Sequence, residues 1–386
     1  MLILPVIGGL VVLLIWLAIV FARGGFWSVR RHLLPACEGE HRPVQVCAVI
    51  PARNEADTIG RTVTALLMQK FNGTLRVIIV DDHSEDGTAT VAARAAAVIG
   101  RRDALTVITG MPLPEGWTGK LWAVSQGLKK AQAFSPDYLL LTDADIEHAP
   151  DTLSWLVAQS VNGRFVLTSL MAKLRCVSLA EKIHVPAFIY FFQMLYPFAW
   201  VARADSSTAA AAGGCMLVRA DALASMGGIA SIRGALIDDC SLAARLKTVG
   251  PIWLGLTKRA RSIRPYPTFA DVGRMVSRSA YSQLRYSLLA LIATILGMAI
   301  TFVAPPMLAL FASGLPRYLG LLAWAAMTLS FVPTLRYYRL SPIWSVALPG
   351  IALLYMSYTL QSAYQHCRRR GGQWKGRVHA DAPSVQ

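Results

Sequence analysis

The first charged side chain of this chain is Arg23, so residues 1–22 form an uninterrupted uncharged and apolar run. At about 1.5 Å of rise per residue, a helix of that length crosses the roughly 30 Å hydrocarbon core of a bilayer. A secretory signal carries its basic residues ahead of the apolar run, whereas here Arg23, Arg30 and Arg31 follow it. Residues 1–22 therefore read as an uncleaved anchor whose C-terminal side is cytoplasmic. Three more apolar stretches, 287–312, 318–335 and 343–363, lie near the other end, interrupted by Pro305-Pro306 and Pro349-Gly350. Three full spans there would carry Arg368, Arg369, Arg370 and Lys375 to the far side, against the positive-inside tendency. One of the three is expected to be re-entrant or interfacial.

Composition supports a membrane protein built around one polar domain: 54% of the 386 residues are hydrophobic and 16% are charged. The net charge of +16 would suit a nucleic-acid binder. Much of that excess, however, flanks the apolar segments, at Arg23 to Arg31, Arg274 to Arg285 and Arg368 to Arg377. Basic flanks face anionic lipid, so the expected partner is a bilayer and not nucleic acid. The six cysteines show no metal-ligand spacing and read as reduced thiols.

Between the apolar ends, short β-compatible runs alternate with helical patterns. Strands are expected at 46–50, 75–80, 105–108, 138–141, 165–170 and 252–254, with Gly213-Gly214 as a tight turn into another. Helices fall between them: one capped by Asp57, one with an alanine-rich face to about Val98, one opened by Gly119, and one after Pro150. This alternation predicts an α/β fold with a mostly parallel central sheet. The stretch 178–200, dense in aromatics and broken by Pro186 and Pro197, is either a buried core helix or an interfacial segment. The resulting organisation is an anchor (1–22), a linker (23–43), an α/β domain (44–265), a basic interfacial segment (266–286), membrane segments (287–363) and a basic tail (364–386).

Tyr138-Leu139-Leu140-Leu141 runs into Thr142-Asp143-Ala144-Asp145. Ligands of open α/β sheets sit beyond the carboxyl ends of the strands, which is where Asp143 and Asp145 emerge. Two carboxylates there suit a hard divalent cation, magnesium or manganese, that neutralises a diphosphate. Taken alone, the pair reads equally as a polar strand end or a helix cap.

Five motifs in order resemble the inverting family 2 glycosyltransferases of the GT-A fold. They are Pro51-Ala52-Arg53-Asn54-Glu55, Asp81-Asp82 with Ser84, Asp86, Gly87 and Thr88, Gly119-Lys120, Asp143-Ala144-Asp145, and Asp238-Asp239. The loop Gly116-Trp117-Thr118-Gly119-Lys120 and the terminal Trp374-Lys375-Gly376-Arg377 resemble, more narrowly, the bacterial hopene-associated glycosyltransferases. The resemblance implies a GT-A nucleotide-sugar-binding domain with transmembrane helices at both ends, cytoplasmic on a bacterial inner membrane. The implied reaction moves a sugar from a nucleoside diphosphate, UDP being the one the resemblance favours, to a lipid hydroxyl such as a hopanoid's.

The same resemblance distributes roles. The loop Pro51, Arg53, Asn54 and Glu55 would contact the nucleotide. Asp82 or Asp81 would take the uracil edge or the ribose hydroxyls, unless both only cap the following turn. Gly119 and Lys120, at a helix start, would meet phosphate. Asp145 with Asp143 would hold the metal, and Asp239, with Asp238 beside it, would be the general base. Arg285 would approach the diphosphate or simply sit at the membrane interface. Around it, Gln283-Leu284-Arg285-Tyr286 matches the Q-x-x-R-W motif of processive polysaccharide synthases only in part. A polymerase and a non-catalytic membrane scaffold are the alternatives.

Overall fold

The computed structural model describes residues 3–33 and 43–368. The basic tail from Arg369, including Trp374 to Arg377, and most of the polar linker lie outside the described residues. The chain divides into two compact units, one α/β and one helical.

The α/β unit comprises residues 33–175 and 200–265 among those described. Its strands are β1 (Val44–Ala52), β2 (Gly73–Asp81), β3 (Leu105–Thr109), β4 (Tyr138–Thr142), β5 (Ile146–His148), β6 (Leu167–Lys173), β7 (Cys215–Arg219) and β8 (Ile252–Ser262). They form one sheet in the order β3-β2-β1-β4-β7-β6-β8-β5. β1 to β4 are parallel, β7 runs against both its neighbours, β6 and β8 are parallel, and β5 runs against β8. The sheet is therefore mixed, with its parallel half as the sequence predicts.

β4 is continuous apolar sequence because it is covered on both faces: Leu139, Leu140 and Leu141 are each at most 6% exposed. Burying each such leucine is worth about 1.5–3 kcal/mol. The register pairs Ala52 with Asp81 and Val49 with Leu141, so β1, β2 and β4 end at one edge. The polar loops that follow them emerge together there.

The Gly119–Ala131 helix crosses β1 and β2. Thr118 caps it by accepting from the Leu121 amide, and Leu121, Val124, Gly127 and Ala131 form the inward stripe at helical spacing. Gly127 is glycine because the helix sits close to the sheet: a Cβ there would lie 2.4 Å from Val49 Cγ1 and 3.1 Å from Val80 Cγ2. Alanine would gain about 1 kcal/mol in helix propensity. Both contacts, however, are to β-branched side chains with little rotamer freedom, so the clash wins. Gly127→Ala is expected to destabilise the protein by about 1–3 kcal/mol, visible as a lowered melting temperature in detergent.

One helix start differs from expectation. Asp57 lies inside the first turn of the Ala56–Leu67 helix, and Glu55 takes the cap position. The Ala56 amide is instead satisfied by Asp86 Oδ2 at 2.9 Å, from the loop after β2. β5 is only three residues long, too short to show a period, and β8 continues past the expected 252–254 through Lys258, Arg259 and Arg261 to Ser262.

The helical unit comprises residues 3–32, 176–199 and 266–368 among those described. Four of its helical runs are long and apolar enough to cross a membrane: Ile3–Ala22, Leu288–Phe311, Leu315–Tyr337 and Pro342–Cys367. All three C-terminal stretches are thus of spanning length, and length singles out none as re-entrant. A π-helical segment, Ala299–Val303, precedes Pro305-Pro306, and the Thr301 carbonyl accepts from Trp16 Nε1 at 2.7 Å. Gly320 lets two helices close up, since a Cβ there would lie 2.6 Å from Leu308 Cβ.

The aromatic stretch is a core helix, Leu179–Leu195, started by a Ser178/Glu181 capping box. Pro186 is carried inside it, and Pro197 lies just past its end. Tyr190 is fully buried in the helical core with Trp16, Phe26, Phe302 and Phe331. Its hydroxyl pairs with Ser330 Oγ at 2.7 Å.

Candidate active site

At the common strand edge the loops after β1 and β2 are laced together. The Asn54 amide donates to Ser84 Oγ, the Glu85 amide to Asn54 Oδ1, and the Glu55 amide to Thr88 Oγ1, all within 2.9 Å. Asn54 and His83 adopt left-handed backbone, which turns the two loops towards each other. The structure separates the two aspartates that the sequence left together. Asp81 accepts from the Ser84 amide at 3.1 Å and so caps its own turn. Asp82 is 2% exposed, and Arg53 donates to its backbone carbonyl at 2.5 Å with its guanidinium 3.7 Å from Asp82 Oδ2.

Beyond β4 lies a second group. Lys120 Nζ sits 2.9 Å from Asp143 Oδ1 and 3.0 Å from Asp238 Oδ2. Pro51, Lys120, Asp143, Gly213 and Asp238 line one crevice. Burial by itself would lower the pKa of Lys120, but Asp143 and Asp238 reverse that and hold it above its ordinary value. It is a permanent cation, and its nearest partners here are carboxylates.

Asp238 and Asp239 form the first turn of the Asp238–Lys247 helix, and Ile237 takes the cap position. Neither aspartate therefore caps this helix. Asp239 turns to the Gly213 amide, which donates to its Oδ2 at 2.9 Å, while Oδ1 accepts from the Cys240 amide at 2.7 Å. Burial first, and Asp238 second, push the Asp239 carboxyl up to about 6. A Cβ on Gly213 would stand 3.3 Å from Lys120 Nζ and 3.5 Å from Asp239 Oδ2, so glycine keeps that space open.

Asp145 belongs to a third group. Its Oδ2 accepts from Ser262 Oγ at 2.9 Å and from Arg264 Nε at 3.1 Å. The other arm of Arg264 reaches Glu55 Oε1 at 2.5 Å. Ser262 and Arg264 arrive because β5 pairs with β8, Ile146 opposite Ser262, and the Ile263 amide donates to the Asp145 carbonyl at 2.9 Å. Neither was singled out in sequence. A local signal is the alternation of basic and small residues through Arg259-Ala260-Arg261-Ser262, the period of a strand.

The α/β unit thus brings Pro51, Arg53, Asn54, Glu55, Asp81, Asp82, Gly119, Lys120, Asp143, Asp145, Asp238 and Asp239 to one edge of its sheet. Arg285 belongs to the helical unit, in a left-handed turn with Tyr286 after the Ala280–Gln283 helix.

Among the described residues no cluster of three or more histidine, cysteine or acidic side chains makes a metal cage. Asp143 and Asp145 are two hard oxygen donors at one strand end. That suits a cation which takes one or two protein carboxylates and completes its shell with water and substrate phosphate.

A carboxylate-rich crevice at the carboxyl edge of a half-parallel sheet defines the α/β class that binds ligands across strand ends. Residues 47–227 match the family described as Glycosyl transferase family 2, and residues 175–358 match Glycosyl transferase family group 2. Each match covers just under half of the chain, and the α/β unit has the GT-A fold. A mannosyltransferase from Pyrobaculum calidifontis, solved with GDP-mannose and Mn2+, superposes with a TM-score of 0.54 at 19% identity. That match covers 91% of this chain and 98% of the mannosyltransferase. An N-acetylglucosaminyltransferase of Rhizobium leguminosarum bv. viciae is 32% identical over 124 residues, 32% of this chain and 27% of the relative. An uncharacterised protein of Methanocaldococcus jannaschii is 29% identical over 113 residues, 29% of this chain and 40% of the relative. The chain thus spans less than half the length of these curated relatives.

Proposed function

We propose that this protein transfers a sugar from a nucleoside diphosphate to a lipid hydroxyl, with inversion at the anomeric carbon. The observation that carries this reading is the meeting of Lys120, Asp143 and Asp238 in one crevice, with Asp239 held on the amide of Gly213, which lines it, and Asp145 two residues along the strand-end loop from Asp143.

The donor's nucleoside would lie on the laced loops after β1 and β2, with Asp82 accepting from the base or ribose. Its diphosphate would extend towards Asp143 and Asp145. Those two carboxylates would hold magnesium or manganese, which when bound neutralises charge on the departing diphosphate. Lys120 is placed to exchange a carboxylate partner for a phosphate oxygen. The acceptor oxygen attacks the anomeric carbon, the bond from that carbon to the diphosphate breaks, and the acceptor proton passes to Asp239. Asp239 suits the task because the Gly213 amide orients it and its raised pKa brings it nearer that of a working base.

Support for a lipid acceptor comes from the helical unit. Its candidate spans expose apolar side chains such as Leu14, Phe21, Leu289 and Leu329. Arg23 and Arg30, after the first of them, favour a cytoplasmic site on a bacterial inner membrane. The narrower resemblance names a hopanoid as the acceptor to try. The polymerase alternative is disfavoured because its partial motif is engaged in packing. Tyr286 stacks on His366 with ring centroids 4.2 Å apart, and Gln283 donates to the Tyr196 hydroxyl.

The test is incubation of the purified protein with UDP- and GDP-sugars and a membrane lipid extract, with products read by mass spectrometry. A new glycolipid is expected, and donor hydrolysis in its absence would already exclude an inert scaffold. Equal transfer to water-soluble acceptors would refute the lipid assignment.

A further inference from the structure

Both carboxylates proposed to hold the metal are already neutralised by the protein's own cations. Lys120 stands 2.9 Å from Asp143, and Arg264 stands 3.1 Å from Asp145. Lys120 also serves Asp238, and Arg264 divides its two arms between Asp145 and Glu55. Glu55 is 7% exposed and Asp145 is 7% exposed. At such sites charges interact far more strongly than in water, and an uncompensated carboxylate is costly.

We infer that Arg264 is a resident counter-ion that occupies the metal carboxylate until the nucleotide arrives, and so makes divalent-cation binding conditional on the donor. A dication brought to Asp145 with Arg264 in place would face a guanidinium bonded to the same carboxylate oxygen. The two positive charges repel, so metal alone enters poorly. A diphosphate changes the balance, because it offers Arg264 a new bidentate partner as the metal takes Asp145. Geometry supports this exchange. Arg264 lies two residues past the end of β8, outside the ladder, while Ser262 inside the ladder keeps Asp145 oriented at 2.9 Å. In this account Arg264 orders binding: it holds Asp145 first and the diphosphate once the donor is bound. The inference rests on the donor-site reading above.

The experiment titrates Mn2+ into the full-length protein and reads free aquo-Mn2+ by its electron paramagnetic resonance signal, with and without UDP or GDP. Wild type should bind Mn2+ weakly alone and at least tenfold more tightly with one of the nucleotides. Arg264→Gln should bind Mn2+ without nucleotide at least tenfold more tightly than wild type, and the gain on adding nucleotide should shrink. Arg264→Lys keeps a cation but not the fork and should fall between them, which keeps the test decisive if the glutamine variant fails to fold. Unchanged nucleotide-free Mn2+ affinity in both variants would overturn the counter-ion role while leaving the donor site standing. Absence of Mn2+ binding in wild type with either nucleotide would overturn the donor-site reading and this inference with it.

Discussion

Asp239→Asn is expected to cut sugar transfer by roughly 10²–10⁴-fold, the usual worth of a positioned acid or base. The amide keeps the shape of the carboxylate and loses its capacity to take a proton. Donor binding should change little, because the nucleotide and metal groups are on other loops. The neighbouring Asp238 supplies the control. It faces Lys120 at 3.0 Å, whereas Asp239 faces the Gly213 amide. Asp238→Asn should therefore alter donor affinity through Lys120 more than it alters the chemical step. Loss of turnover in the Asp238 variant with an active Asp239 variant would show that the base is assigned to the wrong carboxylate. The pH profile gives a second readout. Because burial and Asp238 push Asp239 up to about 6, its basic form is depleted as pH falls through that value. Wild-type kcat/KM should thus rise with pH through about 6 and level off above it. In Asp239→Asn that acid limb should vanish from whatever activity remains.

Asp145→Ala should abolish metal-supported donor binding together with turnover. A Lewis acid on a leaving diphosphate supplies several kcal/mol, and each 1.36 kcal/mol is a factor of ten. The fall should therefore be at least on the order of 10²–10³-fold. The alanine also removes the acceptor of Ser262 and one of the two carboxylates on Arg264, which keeps Glu55, so some loss of stability accompanies it. Asp145→Asn is the companion variant, since it retains an acceptor for Ser262 and Arg264 while removing the charge a cation needs. UDP or GDP binding measured with and without Mn2+ separates the two effects: a folded Asp145→Asn protein should bind nucleotide equally with and without the metal. Full activity of wild type in excess chelator would defeat the metal assignment.

How much of this was legible in the chain divides along a physical line. Segments that state their own structure were legible: the charge-free run before Arg23 as a helix of spanning length, the leucines of β4 running into Asp143, and the helix that starts at Gly119. Periodicity, caps and turn residues report what a segment does with its own backbone, and they placed most strand ends to within a few residues. They also showed that polar loops gather where the parallel strands finish. What they could not report was which side chains meet across the gap. Asp81 and Asp82 are adjacent and chemically identical, yet one caps a turn and the other is buried against Arg53. Lys120, read as a phosphate ligand, is held between Asp143 and Asp238. Arg264 was silent in sequence because its partners lie 119 and 209 residues away. Local signals can specify a strand, but the pairing of a three-residue β5 with the end of β8 is chosen only when the whole sheet packs. That single register brings Arg264 to Asp145.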